Sequence, residues 1–272
     1  MSTTAASGTD ARAPGALERR LRARREAGKK LLVAYVTGGM GDDWLDAVHA
    51  VAEAGADAIE IGIPFSDPMI DGPTIQEASL RALTRGTTPS TVLAALSRAE
   101  IGVPLAAMTY YNLIFRAGHR RFADALVAAG VVGAIVPDLP LEEGGGWSEE
   151  ADAAGVETVL LVAPSTPDER ARRICARSRG FVYGVGRMGV TGEQAQLAST
   201  AREVAGRLRP LTDIPVCIGI GVSTPQQAAE ICTEADGVVV GSALVRRLLD
   251  GAGPAGAGAF VAELRAGIDA GR

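Results

Sequence analysis

The 272-residue chain is poor in the side chains that most often run metal and covalent chemistry. Histidine occurs only at His49 and His119, so a zinc site built on several histidines is excluded by count. His49 falls inside a helical pattern, which suits packing or surface exposure. Cys175, Cys217 and Cys232 are odd in number and widely spaced, and they suggest no disulfide framework. Lysine occurs only at Lys29 and Lys30, just ahead of the first apolar strand. In a barrel of alternating strands and helices that place is the mouth opposite the active site. No lysine is therefore positioned to form a Schiff base with a substrate or with pyridoxal phosphate. No apolar run approaches the roughly 18 residues of a membrane span. Residues 1–16 are rich in Ser, Thr, Ala, Gly and Pro and lack the apolar core of a secretory leader. Residues 1–15 are expected to form a disordered tail, and the protein is expected to be cytoplasmic. Net charge is −5, without a basic block beyond the N-terminal arm. In that arm Arg19 to Arg25 are interspersed with Leu17, Leu21 and Ala23 and flanked by Glu18 and Glu26, the pattern of a helix with a solvated face. Nucleic acid is disfavoured as a partner, because a phosphate backbone demands concentrated positive charge.

What the chain does contain is alternation. Short apolar runs at Leu31–Tyr35, Ala58–Ile61, Pro104–Met108, Val132–Val136, Thr158–Val162, Phe181–Gly184, Val216–Ile218 and Gly237–Val240 read as strands of a helix-covered parallel sheet. Helical patterns lie between them, among them Trp44–Ala54, Thr74–Leu83, Arg121–Ala129, Glu169–Arg177 and Pro225–Cys232. Small-residue bends (Glu53-Ala-Gly-Ala-Asp57, Ala128-Ala-Gly130, Ala153-Ala-Gly155, Glu234-Ala-Asp-Gly237) feed the following strands. Eight such units predict an α/β fold, a (β/α)8 TIM barrel over residues 16–272, with an extra helix at about 16–27 capping the floor. A dinucleotide-binding sheet would open on Gly-x-Gly-x-x-Gly, whereas the first strand ends Val36-Thr-Gly-Gly-Met40. Residues 251–258 read as a Gly/Ala/Pro linker before a final helix Phe260–Ile268, and Gly144-Gly-Gly146 as a mobile surface loop.

The richest stretch is Glu60-Ile-Gly-Ile-Pro-Phe-Ser-Asp-Pro-Met-Ile-Asp-Gly-Pro73. Glu60 lies between Ile59 and Ile61, a costly place for a carboxylate. Burial there would raise its pKa and let it hold a proton near neutrality. An ion pair with a neighbouring strand, or an edge position facing water, would explain it equally without chemistry. Asp71 either caps the helix that Pro73 opens or accepts a hydrogen bond from substrate. Asp67 either bonds the amides of its own turn or takes part in chemistry. Gly184-Val-Gly-Arg-Met-Gly-Val-Thr-Gly-Glu193 reads as a lid or an ordinary surface loop, with Thr191 as a possible latch and Arg187 facing phosphate or solvent. Gly219-Ile-Gly221 and Gly241-Ser242 follow the seventh and eighth strands, where barrels of this kind hold phosphate against backbone amides and a helix N-terminus. These features describe an enzyme for a small phosphorylated substrate, with carboxylates moving the protons.

Over residues 17–270 the chain resembles the α subunit of tryptophan synthase. The resemblance is carried by the Glu60–Pro73 segment and by Met188-Gly-Val-Thr-Gly192, Gly219-Ile-Gly-Val-Ser223 and Val240-Gly-Ser242. It implies a lyase of tryptophan biosynthesis that cleaves indole-3-glycerol phosphate to indole and glyceraldehyde 3-phosphate. The implied catalytic pair is Glu60 and Asp71. Implied substrate and phosphate contacts are Tyr35, Tyr110, Tyr183, Thr191, Gly192, Gly221, Gly241 and Ser242. No cofactor or metal is implied in this chain. Pyridoxal phosphate would belong to a partner β subunit in an αββα complex, docked through Pro64, Asp67, Asn112 and Pro140. Tyr35 and Ile220 stand where many relatives carry phenylalanine. Phosphosugar isomerases would share the late glycines but not the Pro-Phe-Ser-Asp-Pro-x-x-Asp-Gly-Pro arrangement. A purely allosteric subunit would not need both Glu60 and Asp71.

Overall fold

A computed structural model describes residues 13–186 and 194–271. Residues 1–12 of the expected tail and 187–193 of the expected lid lie outside the described residues. Eight parallel strands close into a barrel in sequence order. They are β1 (Leu31–Thr37), β2 (Ala58–Gly62), β3 (Leu105–Met108), β4 (Val131–Ile135), β5 (Glu157–Val162), β6 (Val182–Val185), β7 (Val216–Gly219) and β8 (Gly237–Val240). Every strand matches an apolar run in the sequence to within two residues. The largest extension is at β1, which continues through Val36 and Thr37 because both pair with β2, in register with Ile61 and Gly62.

Strand residues alternate between two buried faces. One face packs against the surrounding helices in the main core. The other fills the barrel with Leu31, Val33, Ala58, Ala106, Ile135, Val159, Phe181, Cys217 and Val239. The floor is plugged by the N-terminal helix, Ala16–Glu26, whose Leu17 and Leu21 join that inner cluster fully buried. Each such leucine contributes about 2 kcal/mol by leaving water. The helix is docked by a carboxylate from the strand floor. Glu157 accepts the Leu17 N–H at 2.7 Å and the Glu18 N–H at 3.0 Å, satisfying two first-turn amides that have no intrahelical partner. Burial pushes the Glu157 carboxyl up, and the two amides pull it part of the way back. Asp57 and Asp236 stitch the same end. Asp57 accepts the Leu32 N–H at 2.9 Å and pairs with Arg24 at 2.6 Å. Asp236 accepts the Val216 N–H at 2.9 Å and pairs with Arg25 at 3.3 Å.

Two sequence expectations change. The stretch 251–258 is mostly not a linker: the last helix spans Gly253–Ala270, with proline in its first turn. Its small residues serve close packing on the helix Trp44–Glu53. Ala257 is fully buried, and a side chain at Gly258 would come 3.2 Å from the Ala50 carbonyl oxygen. Gly144-Gly-Gly146 is not a free loop either, since Gly144 caps and Gly145 begins the helix Gly145–Ala154. That helix is anchored by buried Trp147, packed edge-on to Phe122 with ring centroids 6.1 Å apart. The helix-end glycines behave as expected at Gly55 and Gly155, with φ of +105° and +83°. Gly237 differs: it lies within β8, where a side chain would collide with Leu31. Among the described residues no helix is long and apolar enough to cross a membrane.

Replacing Glu157 by alanine should lower the unfolding free energy by about 2 kcal/mol, the usual effect of losing a helix cap and stranding its buried amides. Urea denaturation of E157A measures this, and a change below about 0.5 kcal/mol would remove the docking role.

Candidate active site

The C-terminal mouth of the barrel opens into a cavity of about 660 Å³. Glu60 and Asp71 line it together with Tyr35, Tyr183, Gly221, Gly241 and Ser242. Lys30 is at the other end, where its Nζ donates to the Ala235 carbonyl at 2.8 Å, just before β8.

Glu60 reaches the cavity because β2 alternates: Ala58 faces the barrel interior, and Glu60, two residues on, faces the same way one layer higher. Its residue exposure is 1%, and its Oε1 has no hydrogen-bond partner among the described residues. This placement rules out an edge position, and among the described residues no ion pair reaches the carboxyl. Burial alone raises the carboxyl to about 8. Asp71 is not a helix cap. The helix Pro73–Thr84 begins from Gly72 with no side-chain cap, and Asp71 instead turns its carboxyl into the cavity. Burial raises it to about 6, with the Tyr110 hydroxyl beside it pulling in the opposite direction. Two carboxyls in one cavity are thus held in different states near neutral pH, the arrangement that separates an acid from a base.

Tyr110 braces the loop rather than lining the cavity. Its ring stacks on Phe65 at 5.0 Å, and its hydroxyl accepts the Ile70 N–H at 3.2 Å. Asp67 is exposed and accepts the Ser66 hydroxyl at 2.6 Å, so of its two readings the bonding of the turn's amides is not the one seen. Tyr35 is buried and Tyr183 half-buried, and desolvation pushes both phenols well above their ordinary range. Ile220 packs against Gly186, where an added side chain would collide with it.

The glycines after β7 and β8 lie at one wall of the cavity. Gly241 is the N-cap of the helix Ser242–Leu249, so the helix begins at the cavity wall. Gly221 has φ of +80°, a turn that favours glycine, and it lines the same wall. Thr191, Gly192 and Arg187 lie outside the described residues. Met108 and Leu161 form apolar wall that sequence reasoning missed. The signal was present in the two-residue step from Ala106 and Val159, but aliphatic side chains look the same in a core and in a pocket. Of the four interface candidates, Asp67, Asn112 and Pro140 are exposed. Pro64 is buried directly after β2, so it shapes the loop and presents no surface.

Comparison with known proteins agrees with this geometry. Residues 21–261 match the family model described as tryptophan synthase alpha chain. The chain is 46% identical over 253 residues to the tryptophan synthase alpha chain of Gloeobacter violaceus, covering 91% of this chain and 89% of the relative. Identity to the alpha chain of Streptomyces coelicolor is 44%, with 91% and 94% covered. Among solved structures, tryptophan synthase of Mycobacterium tuberculosis superposes with a TM-score of 0.86 at 39% identity, covering 94% of this chain and 99% of that one. Tryptophan synthase subunit alpha of Legionella pneumophila superposes at 0.85 and 31% identity, covering 95% and 100%. The chain belongs to the tryptophan synthase alpha chain family, lyases that cleave indole-3-glycerol phosphate to indole and glyceraldehyde 3-phosphate.

Proposed function

We propose that Glu60 and Asp71 divide the proton work of this cleavage between them. The observation that supports the division is a buried carboxyl, its Oε1 unpartnered among the described residues, held near 8 in the same cavity as a second carboxyl held near 6. Glu60, protonated, adds its proton to the ring carbon that bears the glycerol chain. The ring nitrogen becomes cationic and is stabilised by ionised Asp71. Glu60, now a carboxylate, removes the proton of the chain hydroxyl next to the bond that breaks. The carbon–carbon pair returns to the ring, which neutralises the nitrogen and releases indole, while the chain leaves as an aldehyde. The phosphate is held by amides near Gly192, Gly221 and Gly241 and by Ser242, with Thr191 closing the lid. Tyr35 and Tyr183, with Met108 and Leu161, shape the indole end, and Tyr110 holds the Asp71 loop. Anchoring the phosphate tail spends remote binding energy on orientation at the reacting carbon.

Pyridoxal phosphate belongs to the family's β subunit. We propose no cofactor in this chain, a cytoplasmic setting and an αββα assembly. Asp67, Asn112 and Pro140 face the partner, and Pro64 stiffens their platform.

Glu60→Gln should cut indole release by about a thousandfold in a folded protein, since it removes a positioned acid–base group. Near-normal turnover by E60Q would reject the assignment. The same variant reports on burial. Wild-type Glu60 titrates at about 8 when folded against 4.5 in its ordinary state, so the folded chain holds an extra proton between those values. Wild-type stability therefore falls as pH rises through that window. E60Q should be the more stable protein above pH 8, with the advantage fading toward pH 4.5; an advantage independent of pH would contradict the shift.

The rate should also follow a bell. Asp71 must be ionised, which gives a rising limb near 6, and Glu60 must be protonated, which gives a falling limb near 8. Asp71→Asn should lower the rate severely and flatten the acid limb. A profile rising steadily through pH 9 would invert the assigned roles.

A further inference from the structure

Where the backbone ladders of the mouth stop, side chains continue them. The β2–β3 ladder ends where the Ile63 N–H donates to the Met108 carbonyl at 2.8 Å. Beyond it the two loops are joined by Tyr110, whose hydroxyl accepts the Ile70 N–H at 3.2 Å and lies beside the Asp71 carboxyl. The β3–β4 ladder ends where the Thr109 N–H donates to the Ile135 carbonyl at 3.0 Å. Beyond it the loops are joined by Asp138, which also lines the cavity. The Tyr111 N–H donates to both of its carboxylate oxygens, at 2.9 and 3.2 Å. That amide opens the helix Tyr111–Ala117, so it has no intrahelical partner. A charged acceptor holds it more firmly than a neutral one would. Three successive loops are thus tied in series, from Asp138 to Tyr111 and from Tyr110 to Ile70, ending next to Asp71.

We propose that Asp138 is a positioning residue that acts through Tyr110 on Asp71, by fixing the backbone from which the Tyr110 hydroxyl reaches that carboxyl. The inference rests on the reading of Asp71 as the group that must be ionised. Tyr110 immediately precedes the anchored amide, so releasing Tyr111 releases the base of the Tyr110 side chain. The stack on Phe65 does not replace that anchor, because aromatic stacking tolerates a range of ring offsets. The hydroxyl favours the ionised form of Asp71, so its displacement raises the Asp71 pKa. The charge of Asp138 works in the opposite sense. A neighbouring carboxylate disfavours a second one, so removing the charge alone lowers the Asp71 pKa. The other titratable groups that line the cavity, among the described residues, are Glu60 on β2, Tyr35 on β1, Tyr183 on β6 and Arg170 on the helix Asp168–Arg177, which pairs with Glu142. All four stay unaltered in the variants that test Asp138.

The test is the pH profile of kcat for indole release, which reports the groups that titrate in the substrate complex. Asp138→Ala should move the acid limb upward by at least about half a pH unit. Asp138 is exposed, so the alanine variant is expected to fold. Asp138→Asn loses the charge but keeps an oxygen for the Tyr111 amide, and its acid limb should stay in place or move down. Tyr110→Phe should move the limb as D138A does, and the double variant should move it no further than Y110F alone. An acid limb in D138A at or below the wild-type position overturns the proposal. An upward shift of equal size in D138A and D138N also overturns it, since the bond to the amide would then not be the cause. Shifts that add in the double variant overturn it as well, because Asp138 would then not act through Tyr110. Asp71→Asn run in parallel separates the two levels. A limb lost in D71N but unmoved in D138A rejects the role of Asp138 alone, whereas a limb kept in D71N rejects the reading of Asp71 beneath it.

Discussion

A carboxyl kept out of water, with no hydrogen-bond partner for one of its oxygens among the described residues, is the constraint around which this molecule is organised. Placing Glu60 in the barrel costs stability whenever it is ionised, because no hydrogen-bond partner among the described residues replaces the lost hydration at its Oε1. The fold tolerates that cost by holding the group protonated at neutral pH, which is the state a proton donor requires. A closed sheet is well suited to this. The strands on either side of β2 are themselves buried, and neither supplies a cation to Glu60, so the shift comes from burial alone.

The contrast with the opposite mouth is instructive. Asp57, Asp236 and Glu157 are also buried, yet each is bonded to a backbone amide, and the two aspartates also pair with arginines. These acids hold strands and the N-terminal helix together. The barrel thus uses the same side-chain chemistry in two ways. Carboxylates at the floor are satisfied and structural, whereas Glu60 lines the cavity at the mouth with its Oε1 unsatisfied among the described residues. Between the two ends lies a packed layer of Val33, Ile135, Val159 and Phe181, which separates the floor's charges from the site.

Most of the barrel was legible in the sequence because its strands are short, apolar and regularly spaced, and because β2 runs straight from apolar residues into the acidic loop. Glu60 stood out by being the wrong residue for its position. Asp71 was ambiguous for a local reason: an acid just before Gly72-Pro73 fits a helix cap as well as a substrate contact, and only the three-dimensional turn chooses between them. The last helix was shortened in the sequence reading because Gly, Ala and Pro signal a linker by composition, whereas here they permit close approach to the helix Trp44–Glu53. Gly144 to Gly146 misled in the same way. The apolar wall at Met108 and Leu161 carried no chemical signature at all, and Tyr110 could be assigned to bracing only once Phe65 and Ile70 were seen against it.

The central claim is that Glu60 carries a proton in the resting site at neutral pH. Isotope-edited infrared difference spectra between the wild-type chain and E60Q report that proton directly, through the carboxylic C=O band that is lost on ionisation. The account predicts that the band persists at pH 7 and disappears with a midpoint near 8. A band that titrates near 4.5, the ordinary value, would contradict it.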